Sequence, residues 1–381
     1  MNFTFSEDQE MLRQEARKFL SEQCTPETVR AVLDSDATHD EKLWSSIVEM
    51  GWTATALPEP YGGFGMGYLE LCVIAEELGR AVAPVPFSSA VYLAGESLLA
   101  AGSDAQKSEW LPKLAAGEAV GTLALAETAG AVTARKIRAK VENGKLTGTK
   151  MPVPDGSIVD YAVVAAKDAH GVSLYLADLA DAGVTRETLA TVDPARDAAA
   201  LTFEDVPVEP LGQPGKGLEY LEPVLDRAAV LVAFEQLGGA QAALEMGVAY
   251  AKERFAFGRP IGSFQAIKHR LAEMFVSLEL ARSNTYYGAW ALSTGADELP
   301  VAAATARVAA SQAYYECARE NTQVHGGMGF TWEGDCHLYY RRAKLLNLIL
   351  GGERVWKDKL IQRLVARREP DATTATTLNA A

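Results

Sequence analysis

Hydrophobic residues dominate a long stretch from Ala228 to Leu244, in which Glu235 is the only ionisable side chain. A helix that is apolar nearly all round belongs inside a bundle. The charge of Glu235 and the pair Gly238–Gly239 argue against a membrane span. The pattern breaks at Phe257-Gly258-Arg259-Pro260. A second helix is predicted to begin there, with Ser263 as its N-cap.

The rest of the chain alternates between helical and strand patterns. Residues from about 4 to 120 predict helices, the first of them capped by Ser6. Between about 122 and 212, short apolar or alternating runs predict strands, and Asn143-Gly144 predicts a tight hairpin turn. From about 218 the pattern is helical again, with further helices predicted over 263–293, 299–324 and 341–368.

These elements predict an α+β multidomain protein rather than an alternating βαβ fold. We expect an N-terminal α-helical domain (1–120), a middle antiparallel β domain (121–215), a C-terminal four-helix bundle (216–368) and a frayed tail (369–381). A chain of 381 residues is long enough to bury the large cores that such domains need.

Composition narrows the classes of partner. The net charge of −14 argues against nucleic acid or an anionic membrane. The N-terminal stretch MNFTFSEDQE is acidic and lacks the apolar segment of a signal peptide, which favours a cytoplasmic protein. The four cysteines and five histidines show no ligand spacing, so we expect reduced thiols and no metal site.

Two motifs in the helical C-terminal half carry candidate chemistry. The first is Arg254-x-x-Phe257-Gly258 followed by Phe264-Gln265-Ala266-Ile267, and the second is the turn Gln323-Val324-His325-Gly326-Gly327-Met328-Gly329-Phe330. Glycines let backbone N–H groups approach a phosphate, and a guanidinium can contact two phosphate oxygens at once. Taken alone, the second motif is also compatible with an ordinary glycine-rich turn between helices.

Together these motifs resemble the signature of the acyl-CoA dehydrogenase family, and Pro58-Glu59-Pro60-Tyr61-Gly62-Gly63-Phe64-Gly65 resembles part of its N-terminal domain. The resemblance implies FAD as cofactor, an acyl-CoA substrate, and electrons passed to an electron-transfer flavoprotein. It implies that FAD lies between subunits, so that the working unit is a homodimer, a homotetramer or a heterotetramer with a related subunit. The positions that the resemblance assigns to FAD are Arg254, Phe257, Gln265, Gln323, Gly326, Gly327 and Ala126, and those near the CoA part of the substrate are Asp226 and Arg227.

The middle domain departs from the family pattern. Members carry Y-x-x-T-E-P and W-I-T segments beside the flavin ring, whereas this chain has Leu123-Ala124-Leu125-Ala126-Glu127-Thr128 and Pro152-Val153-Pro154. Ala126 and Pro154 therefore replace the two threonines, so that fewer side-chain hydrogen bonds are expected to hold the ring. Ala229 likewise replaces an arginine of the family.

The catalytic base is the second departure. α,β-Desaturation needs a carboxylate that takes the α-proton, and the two positions where the family places it hold Ala228 and Leu350 here. Glu235 lies two helical turns beyond Ala228 on the same face, and we select it as the candidate catalytic residue. The alternative is a buried glutamate paired with an arginine or lysine of the bundle. Glu353 and Glu127 are weaker candidates, because a helix start and a backbone-bonding role suit them better.

We therefore expect a FAD-dependent acyl-CoA dehydrogenase. The run Phe330–Glu333 resembles the bacterial branch that handles bulky or branched acyl chains, including steroid side chains. Some members of that branch are heterotetramers, so a second interpretation is a non-catalytic partner subunit that completes a neighbour's FAD site. A flavin-dependent hydroxylase on the same scaffold has no specific motif in its favour.

Overall fold

The computed structural model describes residues 5–368, and it begins with a helical domain. Its helices are α1 (Glu7–Gln23), α2 (Pro26–Leu33), α3 (Glu41–Glu49), α4 (Tyr68–Arg80), α5 (Glu96–Ala101) and α6 (Asp104–Ala115), with a π-helix at Ser88–Gly95. The predicted cap of the first helix is confirmed, since the Ser6 hydroxyl accepts a hydrogen bond from the Gln9 backbone N–H and the Gln9 side-chain oxygen accepts one from the Ser6 backbone N–H.

Seven strands follow in one sheet. They are β1 (Gly121–Ala124), β2 (Lys140–Glu142), β3 (Lys145–Pro154), β4 (Tyr161–Asp168), β5 (Gly171–Asp178), β6 (Val184–Thr188) and β7 (Ala198–Leu211). β4 pairs with both β2 and β5. β2 also pairs with β3, β3 pairs with β7 and β7 pairs with β5, so the sheet closes on itself. The predicted hairpin turn between β2 and β3 is confirmed, with positive φ at Asn143 and Gly144.

The predicted middle β domain is present, but two of its strand pairs are parallel rather than antiparallel. β1 and β2 both pair with β4 in parallel. Parallel neighbours need a long connection, and the chain between β1 and β4 contains the β2–β3 hairpin, which provides it. Hairpin signals report only neighbours along the chain, so they could not predict these two pairings.

Five helices form the C-terminal region. They are α7 (Gly217–Glu253), α8 (Gln265–Thr294), α9 (Leu299–His325), α10 (Cys336–Leu348) and α11 (Glu353–Arg368), and a two-stranded hairpin of β8 (Phe255–Ala256) and β9 (Arg259–Pro260) joins α7 to α8. α9 packs along α7 and α8, and α10 and α11 pack on α9. The predicted bundle is therefore present, with one helix more than expected.

Two boundaries differ from the prediction. The single helix predicted over 341–368 is two helices. Gly351 has a φ of +91°, a conformation that interrupts the helix between α10 and α11. Ser263 is not the N-cap of α8. Phe264 occupies that position, and the Ser263 hydroxyl donates instead to the Pro260 carbonyl at 2.7 Å. The predicted tail, 369–381, lies outside the described residues.

Two glycines let the N-terminal domain approach the central helix closely. A Cβ built on Gly79 of α4 would lie 1.8 Å from the Glu235 carbonyl oxygen, and one on Gly238 of α7 would lie 1.8 Å from the Glu76 carbonyl oxygen. Since no side chain fits at either position, the α4 and α7 backbones are in direct contact there. One apolar core runs continuously from the N-terminal helices into the bundle, and a second fills the closed sheet.

No helix in the described part of the chain is both long and apolar enough to cross a membrane. Within the same residues, no three histidine, cysteine, aspartate or glutamate side chains come together as metal ligands would. Cys24, Cys72, Cys317 and Cys336 are unpaired and buried, and burial raises the pKa of each thiol above its ordinary value.

Candidate cofactor and active site

Both candidate phosphate motifs lie at the same end of the bundle. α7 ends at Glu253, α8 starts at Gln265 and α9 ends at His325. Because α9 packs along much of α7 and of α8, these three helix ends lie at the same end of the bundle. The rings of Tyr250 and His325 stack with their centroids 4.0 Å apart, which ties the end of α7 to the end of α9. The structure therefore brings together six residues predicted to bind the cofactor, namely Arg254, Phe257, Gln265, Gln323, Gly326 and Gly327.

Three polar side chains at this end, those of Arg254, Gln265 and Gln323, are exposed to solvent. Arg254 is the C-cap of α7, and its backbone N–H donates to the Tyr250 carbonyl oxygen. The side chains of Arg254, Gln265 and Gln323 are solvent-exposed and make no hydrogen bond or ion pair within residues 5–367. An unpaired guanidinium and two amides so close together are suited to an anionic ligand.

The backbone of this end is equally open. Gly326 ends α9 with a φ of +57°, and a Cβ on Gly326 or Gly327 would meet no atom within 4 Å. Phe257 has a positive φ of 54° and its side chain is 95% exposed, with one edge-on contact to Phe264. A bulky residue rarely accepts this conformation without a reason, and an exposed phenyl ring is available to stack on a planar ligand.

These observations test whether FAD fits. Exposed guanidinium, amide and glycine backbone groups suit the diphosphate half of a flavin nucleotide, so the bundle end fits that half. The β domain fits the ring half less well. Ala126 lies just beyond β1, and its carbonyl oxygen accepts from the Met151 N–H at 2.8 Å, but it carries no hydroxyl. Pro154 at the end of β3 offers neither a hydroxyl nor an N–H.

Glu127, beside Ala126, has a structural role. Its carboxylate accepts from the backbone N–H groups of Arg138 at 2.7 Å and Ala139 at 3.1 Å, and it pairs with the buried Lys150 ammonium at 2.6 Å. The backbone-bonding role is therefore observed, and these three interactions hold the segment that follows β1 in place. Both carboxylate oxygens of Glu127 are engaged in these contacts.

Glu235 lies in the interior, where three parts of the chain meet. It is 3% exposed, and its Oε1 accepts from the Arg196 guanidinium at 3.1 Å. Arg196 comes from the segment between β6 and β7 and also donates to the Ser88 hydroxyl in the π-helix. Glu235 Oε2 has no hydrogen-bond partner among the described residues. The alternative of a buried, paired glutamate is therefore observed, with an arginine from the β domain rather than from the bundle.

Two more buried arginines flank this pair. Arg342 of α10 donates to the Asp193 carboxylate at 2.5 Å and to the carbonyl oxygens of Ala83 and Val82. Arg307 of α9 donates to the Gln236 side chain at 2.5 Å and to the Leu346 carbonyl oxygen. Sequence reasoning did not select Arg196, Asp193 or Arg342. The charges of Asp193-x-x-Arg196-Asp197, directly before the apolar start of β7, were the available signal.

The other candidate base positions offer no replacement. Ala228 is fully buried, and Leu350 lies beyond α10, where its carbonyl oxygen accepts from the Trp356 indole N–H at 3.2 Å. Glu353 begins α11 as expected, and its carboxylate binds Gln312 and Lys357. Burial raises the pKa of Glu353, but the hydrogen bonds from Lys357 and Gln312 outweigh that effect and hold it below its usual value, which makes it a weak base.

Asp226 and Arg227 do not join the cofactor residues. They lie 28 and 27 positions before Arg254, near the start of the helix that Arg254 ends, which separates them from it by about 40 Å. Asp226 is buried and pairs with Arg363 at 2.9 Å, and burial raises its pKa to about 6. Arg227 pairs at 3.0 Å with the buried Glu96, which also accepts from the Tyr68 hydroxyl. Both side chains have partners inside the subunit, and their contact with a substrate stays a prediction.

An apolar stripe is exposed on the outer side of α8. Phe275, Val276 and Leu280 are between 55% and 62% exposed, and Leu280 lies about one helical turn beyond the first two. Met274, Leu278 and Ala281 on the opposite side are buried. Exposed Phe255 in the β8–β9 hairpin adds to the apolar surface beside the start of this helix. A helix with apolar residues on both sides has the character of a buried element, so this stripe suits contact with another subunit.

Comparison with known proteins points to the same family as the sequence motifs. Residues 6–118 match the family model "Acyl-CoA dehydrogenase, N-terminal domain", and residues 215–365 match "Acyl-CoA dehydrogenase, C-terminal domain". Acyl-CoA dehydrogenase IpdE2 of Mycobacterium tuberculosis is 35% identical over 88% of this chain and 91% of its own length. Among solved structures, the ChsE4–ChsE5 complex of Mycobacterium tuberculosis has a TM-score of 0.88 at 28% identity, with coverage of 96% and 99%. The Tcur3481–Tcur3483 steroid ACAD variant has a TM-score of 0.85 at 32% identity, with coverage of 95% and 98%.

Proposed function

The chain belongs to the acyl-CoA dehydrogenase family, and we propose that it is a subunit of an enzyme that desaturates an acyl-CoA thioester between its α and β carbons. FAD is the cofactor of this family and supplies the two-electron acceptor. Electrons then leave to an electron-transfer flavoprotein. The observation that carries the proposal is the bundle end, where the side chains of Arg254 and Gln323 are exposed and have no hydrogen-bond partner among the described residues, beside the open glycines 326 and 327.

Each part of the bundle end has a defined task in this proposal. The Arg254 guanidinium binds two diphosphate oxygens, and the Gln323 and Gln265 amides donate without adding charge. Gly326 and Gly327 allow the phosphates to approach the backbone, and Phe257 packs against a flat part of the nucleotide. Ala126 and its neighbours contact the flavin ring through backbone groups, because their side chains offer no hydroxyl.

The FAD sites lie between subunits in this proposal. The six groups lie at one end of the bundle, while Ala126 belongs to the β domain. In this proposal the bundle end of one chain contacts the diphosphate of an FAD whose ring is held by the β domain of a neighbour. The apolar stripe of Phe275, Val276 and Leu280 supplies a surface on which that neighbour can pack. A homodimer, a homotetramer and a heterotetramer with a related subunit are all compatible with such an arrangement.

The base can be assigned in two ways. If Glu235 is the base, its carboxylate must leave Arg196 and reach the α-proton. The second candidate function, a non-catalytic partner subunit, is favoured by a specific observation: Glu235 is buried and already paired, and Ala228 and Leu350 stand at the family's base positions. In that case a related subunit supplies the carboxylate, and this chain completes its FAD site. We favour this second assignment, in which this chain helps to bind FAD and a related subunit provides the catalytic base.

We propose a bulky acyl group as the substrate class. The support is the sequence run at Phe330–Glu333 together with the 32% identity to a structure described as a steroid ACAD. A panel of straight-chain, branched and steroid side-chain CoA thioesters tests this, with the largest rate expected for the bulky members. A preference for short straight chains contradicts it.

The experiment that separates the two assignments uses the colour of the purified protein. The chain is produced alone and together with a related subunit, and flavin absorbance near 450 nm is followed on anaerobic addition of acyl-CoA. We expect bleaching only when the related subunit is present. Bleaching of the chain purified alone would show that it carries its own base, and a colourless protein in both preparations would contradict FAD as its cofactor.

A further inference from the structure

Lys150 occupies an interior position of strand β3. Side chains alternate along this strand, so that Leu146 and Lys150 face the interior of the β domain while Lys145 and Thr149 face solvent. The Lys150 side chain is completely buried. Lysine is almost never fully buried unless its ammonium is paired, so this position needs an explanation beyond packing.

The Glu127 carboxylate pairs with this ammonium. Lys150 Nζ donates to Glu127 Oε1 at 2.6 Å, and the Glu127 side chain is itself buried. Burial lowers the pKa of Lys150, whereas the hydrogen bond to Glu127 and the charge of Glu127 act in the opposite direction. Apolar side chains of similar volume often replace a buried ion pair without loss of stability, so the fold alone does not require these two charges.

Lys150 also fixes the backbone segment that follows β1. Its Nζ donates to the Leu125 carbonyl oxygen at 3.4 Å, and the Met151 N–H donates to the Ala126 carbonyl oxygen at 2.8 Å. Adjacent residues of β3 therefore hold two successive carbonyl groups. In a trans peptide unit the carbonyl and the N–H point in opposite directions. The N–H groups of Ala126 and Glu127 therefore point away from these two donors.

The same two N–H groups are available to a ligand. Neither of them forms a hydrogen bond within residues 5–368. Leu125, Ala126 and Glu127 are partly exposed, although β1 directly before them is buried. Two consecutive N–H groups in a fixed orientation form a donor pair for the acceptor atoms of a ligand.

A flavin ring has acceptor atoms that suit this donor pair. One edge of the ring carries carbonyl oxygens and ring nitrogens that accept hydrogen bonds. Ala126 lies at the position that the family resemblance assigns to FAD, and neither Ala126 nor Pro154 brings a side-chain hydroxyl. Donors that the protein already holds in place lose little entropy when a ligand binds.

We propose that Lys150 and Glu127 are positioning residues for the flavin ring, because they orient the Ala126 and Glu127 N–H groups for its acceptor atoms. The ion pair acts through the backbone that it holds and not through a side-chain contact with the ring. Backbone donors thus take the place of the missing hydroxyls. This inference rests on the FAD site proposed above.

The test uses the full-length protein in whichever preparation of the colour experiment is yellow. Lys150→Met fills a similar volume without a charge, and the double variant with Glu127→Gln also leaves no unpaired carboxylate. We expect each to weaken FAD binding by about tenfold, measured by flavin absorbance after dilution. The reduction potential of the flavin that remains bound should shift to lower values, because reduction adds negative charge that the N–H donors no longer stabilise.

The exposed pair Lys140–Glu142 on β2 provides the matched control. Its ammonium and carboxylate lie 2.9 Å apart, and both side chains are more than half exposed. Lys140→Met combined with Glu142→Gln removes the same two charges from the same domain. This control variant should keep the FAD affinity and the reduction potential of the wild type.

Two results would overturn the inference. If the Lys150 variants lose only free energy of unfolding and keep the wild-type FAD affinity and reduction potential, the pair is purely structural. If the control variant changes as much as they do, the effect is not specific to Lys150 and Glu127. The double variant decides the question if Lys150→Met alone does not fold. A colourless wild type contradicts the FAD proposal itself, whereas a yellow wild type with unaffected Lys150 variants contradicts only this inference.

Discussion

The middle and the end of helix α7 handle charge in opposite ways. In the middle, Glu235 is almost inaccessible to solvent and is paired with Arg196, and the nearby Arg342 carries three further hydrogen bonds. At the end, the Arg254 side chain is exposed and has no partner among the described residues. Both regions contain residues that sequence reasoning connects with chemistry, yet their surroundings differ completely.

This difference indicates what each region is for. A buried charge must be paired inside the protein, since an unpaired one would cost several kcal/mol. Glu235 and its arginines meet that requirement within one subunit and join the π-helix, the β6–β7 segment and the bundle. The exposed Arg254 side chain does not stabilise the fold through such a pair, so we expect its partner to come from outside the subunit. We therefore infer that the middle of α7 holds the domains together and that the end of α7 binds a group from outside the subunit.

The largest effect is expected at Arg342. Arg342→Met leaves the buried Asp193 carboxylate without its partner, and we expect a loss of about 3–5 kcal/mol in the free energy of unfolding. Arg254→Ala is the matched control, because an exposed side chain should change that free energy by about 0.5 kcal/mol or less. Chemical denaturation measures both. Similar losses for the two variants would remove the contrast between the two regions.

The apolar stripe comes next. Phe275→Glu places a charge in the proposed subunit contact, and we expect the dissociation constant of the assembly to rise by about thirtyfold or more. Met11→Glu, at an equally exposed apolar residue of α1, should not change the assembly. Sedimentation over a range of concentrations gives the constants. An assembly that tolerates Phe275→Glu would place the subunit contact elsewhere.

A double-mutant cycle tests the interior pair. Glu235→Gln and Arg196→Gln should each destabilise the fold, and the double variant should lose less than the sum, with a coupling of about 0.5–3 kcal/mol. The same Glu235→Gln subunit, assembled with a relative, should still support bleaching of the flavin by acyl-CoA. Loss of bleaching with FAD still bound would instead identify Glu235 as the base. Additive losses of unfolding free energy would show that Glu235 and Arg196 do not stabilise each other.

The smallest expected effect concerns the cofactor. Arg254→Ala should weaken FAD binding by about tenfold, because it removes charge-assisted hydrogen bonds to the diphosphate while leaving the fold intact. Flavin absorbance of the purified variant, measured after dilution, reports the occupancy. Lys42→Ala serves as the control for loss of one exposed positive charge. Unchanged occupancy in Arg254→Ala would count against the diphosphate role.

The sequence predicted most of the fold because its signals were local. The apolar run of α7, the capping box at Ser6 and the Asn143-Gly144 turn each specify a conformation within a few residues, and each prediction is confirmed. The parallel pairs of β4 depend on residues far apart in the chain, and the break at Gly351 lay inside a continuous helical pattern. The two parallel pairs could not be read from local patterns, whereas the pair Gly351–Gly352 was a local signal for the break that the helical pattern on either side outweighed.

The candidate site was predictable in part, for a related reason. Arg254, Gln323 and the glycines at 326 and 327 belong to compact motifs whose spacing is visible in one stretch of sequence. The partner of Glu235 is Arg196, 39 positions earlier and in another domain. A single sequence shows that a buried glutamate needs a partner but does not show which arginine folds against it. The assignment of Glu235 as a base was therefore made without the ion pair that now argues against it.

The most direct test of the account is native mass spectrometry of the wild-type protein purified with its flavin, alone and with a related subunit. If the FAD site lies between subunits, every particle that carries FAD contains at least two protein chains, and single chains carry none. A single chain that retains FAD would contradict the account, because the exposed groups at the end of α7 would then have no neighbour's cofactor to bind.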